Sequence, residues 1–211
     1  MIDTILFDLD GTLINTNDLI IASYQHTLDY YFPNRYTESD MINFIGEPLE
    51  TTFNRVDPDR APEMVRRYRA FNLEKHDELF KEYPNVYDTV KQLKEKGFKL
   101  GIVTTKRRQT VLLGLQLAKL APFFNVVITL DDVKNAKPDP EPVLLALDKL
   151  ESEAGRALMV GDSPSDIEAG RRAGTQTVGV SWTIKGVEVL KPVRPDYIID
   201  DMAELVSILE Q

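Results

Sequence analysis

The chain has 211 residues, of which 43% are hydrophobic and 28% are charged, as is typical of globular proteins rather than disordered or fibrous ones. It has no cysteine, which excludes disulfides, thiolate metal sites and cysteine nucleophiles, and its two histidines argue against a histidine-rich metal centre. The net charge of −9 argues against a nucleic-acid partner, because such proteins bind phosphates through clustered lysine and arginine. We find neither a secretory signal nor an apolar run of about 20 residues that could cross a bilayer, so we expect a cytoplasmic protein with no membrane partner.

Short apolar runs of strand length recur along the chain, separated by segments of helical periodicity. These runs are residues 4–8, 100–103, 126–129, 157–160, 177–180 and 197–199. Near-continuous apolar strands that alternate with helices indicate a parallel sheet covered on both faces. Ligands of such sheets bind beyond the carboxyl ends of the strands.

Residues 16–81 interrupt this alternation with helical patterns and no convincing strand. Thr37 and Asp40 have the spacing of a capping box, and Pro62 begins a longer helical pattern. We therefore predict an α/β core formed by residues 1–15 and 82–211, and a helical cap formed by residues 16–81.

The first run ends at Asp8, and a second carboxylate follows two residues later in the segment Asp8-Leu9-Asp10-Gly11-Thr12. Residues i and i+2 of an extended segment point to the same side, so both acids can face one site. Such a pair repels unless a cation bridges it or one member holds a proton, which suits a nucleophile beside a proton donor. Gly11 allows a sharp turn close to a ligand. The alternative for this fragment alone is a plain turn with a strand-end cap.

Hydroxyl and basic residues follow the second apolar run. Thr104 stands where a hydroxyl can donate to a phosphate oxygen, although an ordinary helix N-cap would look the same. Lys106, Arg107 and Arg108 come next, and we expect Arg107 and Arg108 to be solvated helix residues.

A lysine between rigid neighbours forms a third motif, Lys137-Pro138-Asp139-Pro140. The prolines restrict the backbone, and a lysine held there can neutralise an attacked phosphoryl group. The alternative is a surface lysine before a helix. Asp139 and Pro140 predict the N-cap and first turn of that helix, with an apolar face made by Val143, Leu144, Leu147 and Leu150.

Two acids follow the run at residues 157–160. Asp162 comes directly after Gly161, and Asp166 lies one helical turn later. Carboxylates are ligands that Mg²⁺ prefers, so Asp162 is a candidate direct ligand and Asp166 an indirect or water-mediated one. A strand-to-helix turn with Asp and Ser caps is the alternative.

The four motifs in this order resemble the haloacid dehalogenase superfamily of phosphohydrolases, and the resemblance covers essentially the whole chain. The insert is similar to the small C1-type helical cap of the phosphoglycolate phosphatase and β-phosphoglucomutase branch. The resemblance implies a Rossmann-like core and an aspartyl-phosphate formed on Asp8. Asp10 then serves as general acid and base, and Lys137 balances charge.

The same resemblance implies the ligands of substrate and metal. Thr104 and nearby backbone amides hold the phosphoryl oxygens, and we count Gly11, Thr12 and Thr105 among the substrate-binding residues. Asp8, the backbone carbonyl of Asp10, Asp162 and, less directly, Asp166 bind Mg²⁺.

Several stretches, some of them outside the motifs, are similar to PpaX-type inorganic pyrophosphatases of Gram-positive bacteria. They are residues 4–27, 44–46 with 48–49, 68–72, 101–106, 129–147 and 182–186. The implied activity is Mg²⁺-dependent hydrolysis of pyrophosphate, and we expect a monomer or weak homodimer. Lys106 is a candidate contact for the distal phosphate. Glu47 is a candidate cap contact acting through the metal or its waters, or else it opens a helix and favours its N-terminal dipole.

Three alternatives use the same core. A phosphatase for phosphoglycolate or another small organic phosphate would differ in the cap, and a phosphomutase would have to exclude water. A non-catalytic regulator is disfavoured because the acids, the threonine and the lysine of the motifs are all present. Asp10 disfavours halide chemistry, since dehalogenase members lack that acid.

Overall fold

The computed structural model of the protein describes residues 1–210. The chain forms two compact units, one made of Met1–Ile14 and the chain from Glu82 onward, the other made of Asn15–Lys81. Numbered in chain order, the strands are β1 (Thr4–Phe7), β2 (Ile14–Asn15), β3 (Lys81–Glu82), β4 (Lys99–Val103), β5 (Val126–Ile128), β6 (Ala157–Gly161), β7 (Gln176–Val180) and β8 (Tyr197–Ile199). The helices are α1 (Asn17–Tyr31), α2 (Glu38–Phe44), α3 (Leu49–Val56), α4 (Ala61–Leu79), α5 (Val86–Glu95), α6 (Arg108–Leu117), α7 (Glu141–Lys149), α8 (Pro164–Ala173) and α9 (Glu204–Leu209).

The first unit contains a six-stranded sheet in the order β5-β4-β1-β6-β7-β8, with every pair parallel. The chain moves outward from β1 to β4 and β5 on one side, and through β6, β7 and β8 on the other. The order therefore reverses at β1, and the carboxyl end of this strand lies at the topological switch point where α/β sheets bind ligands. The predicted parallel α/β sheet is confirmed, and each of its strands overlaps a predicted apolar run.

The core explains why these runs are apolar throughout. All four residues of β1 and all five of β6 are buried, as expected for strands covered on both faces. Leu6 and Met159 pack in one apolar cluster with Val143 and Leu147 of α7 and with Ala169 of α8. Burial of this cluster fixes α7 and α8 against the sheet.

Two details of α7 differ from the sequence prediction. The helix begins at Glu141 and Pro140 takes the N-cap position, so Asp139 is not the N-cap, although its carboxylate accepts a hydrogen bond from the Glu141 amide at 2.9 Å. Leu144 is 47% exposed and does not belong to the buried face. The buried stripe runs through Val143, Ala146, Leu147 and Leu150, which follows the i, i+3, i+4, i+7 spacing, and Leu144 lies at its edge.

The second unit consists of α1 to α4 and has an aromatic centre. The Tyr24 ring lies 4.8 Å from the Tyr68 ring and 5.7 Å from the Phe53 ring, and all three side chains are buried. Asn72 of α4 donates a hydrogen bond to the Ser23 hydroxyl of α1 at 3.1 Å. The capping box predicted at Thr37 and Asp40 is confirmed. Within residues 1–210, every helix is too short or too polar to span a bilayer.

Candidate active site

Asp8 follows β1 directly, and Asp162 follows the neighbouring strand β6. The Asp8 amide donates a hydrogen bond to the Val160 carbonyl at 2.9 Å, which continues the ladder for one residue beyond the strand. Because the carboxyl ends of adjacent parallel strands meet at one edge of a sheet, both acids are brought together there, with 7% of each residue exposed.

Lys137 is buried among these acids and uses all three of its ammonium hydrogens. Its Nζ donates to Asp8 Oδ1 at 2.7 Å, to Asp166 Oδ1 at 2.5 Å and to the Val103 carbonyl at 2.8 Å. Burial disfavours the charged ammonium, but the nearby Asp166 and Asp8 carboxylates outweigh it and raise the pKa of Lys137. The lysine is therefore a fixed positive charge between two carboxylates.

Asp166 is held by the start of α8. Its Oδ2 accepts hydrogen bonds from the Ser163 amide at 3.0 Å and from the Ser163 hydroxyl at 2.6 Å, which forms a capping box. A Cβ at Gly161 would lie 2.2 Å from the Asp166 Cβ, so this close approach requires glycine. Both carboxylate oxygens of Asp166 are thus engaged by protein groups.

The carboxylates of Asp8, Asp162 and Asp166 form a buried cluster in which one oxygen from each lies within 4.8 Å of the others. Burial raises the pKa of Asp8 to about 7, against the opposing effect of Lys137. Burial, together with the Asp166 and Asp8 charges, also raises the pKa of Asp162. With all groups charged, three carboxylates and one ammonium leave two negative charges in excess. This excess and the hard oxygen donors fit a divalent cation such as Mg²⁺.

Gly11 and Thr12 lie in the turn that follows Asp10. Gly11 has a φ of +82°, and a Cβ there would lie 2.5 Å from Asp162 Oδ2, so glycine is needed for both reasons. The Gly11 amide donates to the Ile14 carbonyl at 2.9 Å, and the Thr12 amide donates to the Leu9 carbonyl at 3.4 Å. Both predicted substrate-binding amides thus make hydrogen bonds within the turn.

Asp10 pairs with Lys106, with 2.7 Å between Asp10 Oδ1 and Lys106 Nζ. Both side chains are 15% exposed, so this ion pair is more accessible than the one at Lys137. Thr104 is buried, its amide donates to the Ile128 carbonyl, and its hydroxyl oxygen accepts from the Lys106 amide at 3.2 Å. Thr105 follows in a half-buried position.

Arg107 and Arg108 are nearly half exposed, at 47% and 42%, in keeping with the sequence prediction, but each also pairs with an acid. Arg107 pairs with Asp131 at 2.6 Å, and Arg108 pairs with Asp132 at 2.6 Å. Both acids follow β5, the strand next to β4, so the parallel sheet brings the basic and acidic segments to the same edge.

Glu47 belongs to the second unit, where its carboxylate is bound by neighbours. Arg55 donates to Glu47 Oε2 at 2.8 Å, and the Thr52 hydroxyl donates to the same oxygen at 3.4 Å. The predicted contact of Glu47 with substrate stays a prediction.

The sequence did not single out one residue that holds an acid of the cluster. Ser163 orients Asp166, and the sequence pattern that could have identified it is the Ser-x-x-Asp spacing of a capping box.

Comparison with known proteins adds independent information. A family model described as haloacid dehalogenase-like hydrolase matches residues 5–180. Pyrophosphatase PpaX of Anoxybacillus flavithermus is 60% identical over 208 residues, which are 99% of this chain and 97% of that protein. Pyrophosphatase PpaX of Bacillus pumilus is 57% identical over 99% of this chain and 96% of its own length.

Solved structures give the same assignment of fold. A predicted phosphoglycolate phosphatase from Haemophilus somnus superposes with a TM-score of 0.90 at 26% identity, covering 99% of this chain and 98% of that one. A haloacid dehalogenase-like family hydrolase from Streptococcus pneumoniae has a TM-score of 0.88 at 25% identity and the same coverage. The chain described here belongs to the haloacid dehalogenase-like hydrolase family.

Proposed function

We propose that the protein hydrolyses inorganic pyrophosphate to two phosphates, with Asp8 as nucleophile and Mg²⁺ as cofactor. The assignment of pyrophosphate as the substrate rests on the 60% identity to a pyrophosphatase over 99% of this chain. The buried cluster of Asp8, Asp162, Asp166 and Lys137 supports the chemistry.

The first step uses the Asp8 carboxylate. One of its oxygens attacks a phosphorus atom of pyrophosphate, the bridging P–O bond breaks, and an aspartyl-phosphate forms. Lys137 holds Asp8 Oδ1 at 2.7 Å, which restricts the carboxylate to one orientation and leaves its second oxygen to attack. The same ammonium balances negative charge around the attacked group.

Asp10 and Lys106 act on the departing phosphate. Asp10 donates a proton to the oxygen that leaves with the bond's electron pair. Because Lys106 Nζ lies 2.7 Å from the Asp10 carboxylate, a phosphate departing beside Asp10 would also meet this ammonium. Lys106 would thus bind the distal phosphate of pyrophosphate.

The second step returns Asp8 to its starting state. The Asp10 carboxylate takes a proton from water, and the water oxygen attacks the phosphorus of the aspartyl-phosphate. The bond between this phosphorus and the Asp8 oxygen breaks, which frees the Asp8 carboxylate and releases the second phosphate. The Thr104 hydroxyl accepts from the Lys106 amide, so its hydrogen can be directed to a phosphoryl oxygen in both steps. The Thr105 backbone amide is proposed to contribute in the same way.

Asp8, Asp162 and the Asp10 backbone carbonyl would hold Mg²⁺, with Asp166 as an indirect partner because both its oxygens are already engaged. The cation, when bound, supplies positive charge that offsets the carboxylate cluster and the phosphoryl oxygens. We further propose a cytoplasmic enzyme that acts on a small molecule as a monomer or weak homodimer, with no nucleic-acid or membrane partner.

Phosphoglycolate is the second candidate substrate, because a structure at 26% identity is described as a predicted phosphoglycolate phosphatase. The two candidates use the same core residues and would be separated by cap residues such as Glu47. The test measures Mg²⁺-dependent phosphate release from pyrophosphate, phosphoglycolate and β-glucose 1-phosphate in parallel. We expect kcat/KM for pyrophosphate to be higher by about a hundredfold, which is about 2.7 kcal/mol. A higher value for an organic phosphate would contradict the substrate but leave the nucleophile in place.

A further inference from the structure

Lys137 enters the candidate active site from a loop, residues 134–140, that has little apolar packing of its own. Lys134, Asn135 and Pro138 are exposed, and Lys137 is the one residue of this loop that is buried. Its Nζ nevertheless makes three hydrogen bonds of 2.5–2.8 Å to fixed groups of the site. Apolar burial therefore does not explain how the loop holds its lysine in place, and polar contacts must do so.

The carboxylate of Glu141, the first residue of α7, binds the beginning of this loop. Its Oε1 accepts a hydrogen bond from the Lys134 amide at 2.8 Å. Its Oε2 accepts from the Asn135 backbone amide at 2.9 Å and from the Asn135 side-chain amide at 3.0 Å. Hydrogen bonds to a charged carboxylate are stronger than those between neutral groups. The backbone amides of Lys134 and Asn135 also hold the pKa of Glu141 below its ordinary value, so this acceptor is charged at neutral pH.

Glu141 is also joined to the other end of the turn that carries Lys137. The Asp139 amide donates to the Ala136 carbonyl at 3.0 Å and closes this turn. The Glu141 amide donates to Asp139 Oδ1 at 2.9 Å. One residue of α7 thus binds the chain before Lys137 through its side chain and the chain after Lys137 through its backbone.

We propose that Glu141 is a positioning residue, whose carboxylate holds the loop so that the Lys137 ammonium reaches Asp8 and Asp166. Loss of the carboxylate frees the two amides at the start of the loop and allows the backbone around Lys137 to shift. A shift of about 1 Å in a group that orients a nucleophile can lower the rate by about a hundredfold. The effect on turnover rests on the proposed function, whereas the effect on the Lys137 ammonium does not.

The test follows the Lys137 ammonium directly by NMR of protein labelled with ¹⁵N-lysine. Lys137 has a side chain that is 2% exposed and donates all three hydrogens, so its ammonium should exchange slowly with water and give a sharp signal near neutral pH. The signal is assigned by its absence from Lys137→Arg, which keeps the charge. Spectra and kcat are then compared for the wild type, Glu141→Ala and Glu141→Gln, with circular dichroism as the check on folding.

Glu204→Ala is the matched control. Glu204 is the first residue of α9, and its Oε1 accepts hydrogen bonds from the amides of Asp200 and Asp201, each at 3.0 Å. It therefore binds two consecutive amides before its own helix as Glu141 does, in a loop that carries none of the candidate catalytic residues.

We expect the Lys137 signal of Glu141→Ala to shift or broaden, with kcat lower by about tenfold or more and KM changed by less than about threefold. The kcat is measured on whichever phosphate compound the wild type hydrolyses fastest. Glu141→Gln should fall between wild type and Glu141→Ala, because one oxygen can still accept while its NH₂ group faces a donor. Glu204→Ala should keep the wild-type signal and kcat.

An unchanged Lys137 signal or an unchanged kcat in folded Glu141→Ala would overturn the inference. An equal loss of kcat in Glu204→Ala would overturn it as well, since general destabilisation would then explain the result. Failure of the wild type to hydrolyse pyrophosphate would instead contradict the proposed substrate, and the response of the Lys137 signal to Glu141→Ala would still decide this inference.

Discussion

Lys137 and Asp8 form a buried ion pair with 2.7 Å between Nζ and Oδ1, although 129 positions separate them in the chain. Lys137 also contacts Asp166 and the Val103 carbonyl, so one side chain links the ends of β1 and β4 to the start of α8. This arrangement holds the proposed nucleophile in one orientation and balances part of the charge around it. Lys137 therefore contributes to both catalysis and stability, because the same ammonium orients the nucleophile and compensates buried carboxylates.

Replacement of Asp8 by Asn should abolish turnover without unfolding the protein. The amide removes the nucleophile and also one charge from a crowded carboxylate cluster, so the fold should be retained. We expect kcat for pyrophosphate to fall by about a thousandfold or more, which is about 4 kcal/mol. Asp148→Asn, at an exposed position of α7, is the control and should keep full activity. Activity of Asp8→Asn near the wild-type level would disprove the nucleophile assignment.

Replacement of Lys137 by Met should destabilise the protein strongly. Removing one partner of a buried ion pair leaves uncompensated carboxylates and typically costs about 3–5 kcal/mol. Urea denaturation of the metal-free protein measures this change in the free energy of unfolding. Lys134→Met, which changes an exposed lysine three residues earlier, should stay within about 0.5 kcal/mol of wild type. Similar stabilities of the two variants would show that the buried pair contributes little.

Replacement of Lys106 by Gln should affect pyrophosphate more than a phosphate ester with a neutral leaving group. Lys106 lies beside Asp10, where the proposed mechanism places the departing phosphate. We expect kcat/KM for pyrophosphate to fall by about tenfold or more, about 1.4 kcal/mol, and kcat/KM for β-glucose 1-phosphate to fall by less. Equal losses for both substrates would mean that Lys106 acts on Asp10 and not on the distal phosphate.

The metal-free protein should lose stability as the pH rises towards neutral. The pKa of Asp8 is raised from 3.8 to about 7 by burial, so the folded state binds this proton more tightly than the unfolded state. The stabilisation from this tighter proton binding is complete below the pKa of Asp8 in the unfolded state, 3.8, and is lost as the pH rises through about 7. Thermal unfolding with a chelator should therefore give a lower Tm at about pH 8 than at about pH 5, and Mg²⁺ should restore it at the higher pH.

Asp8→Asn provides the control for that pH dependence. The variant lacks the titrating group, so the difference in Tm between the two pH values should be smaller than in the wild type. An identical pH dependence in both proteins would show that Asp8 is not the group responsible.

Local features of the sequence suffice to predict the family, the class of fold and which catalytic motif follows which strand. Apolar runs buried on both faces predict parallel strands, and Asp8, Thr104 and Asp162 each follow such a run directly. Because the carboxyl ends of parallel strands lie at one edge, this pattern suffices to predict that these residues converge. Capping boxes are equally local, and the one at Thr37 was predicted from four consecutive residues.

Contacts between distant segments were decided by the tertiary structure. The reversal of strand order at β1 determines that Lys137 reaches Asp8 and Asp166 together. Periodicity placed Leu144 on the apolar face of α7, yet the position of the sheet left it 47% exposed. Local patterns limit which face or strand end a residue occupies, whereas its hydrogen-bond partners and its burial depend on which other elements pack against it.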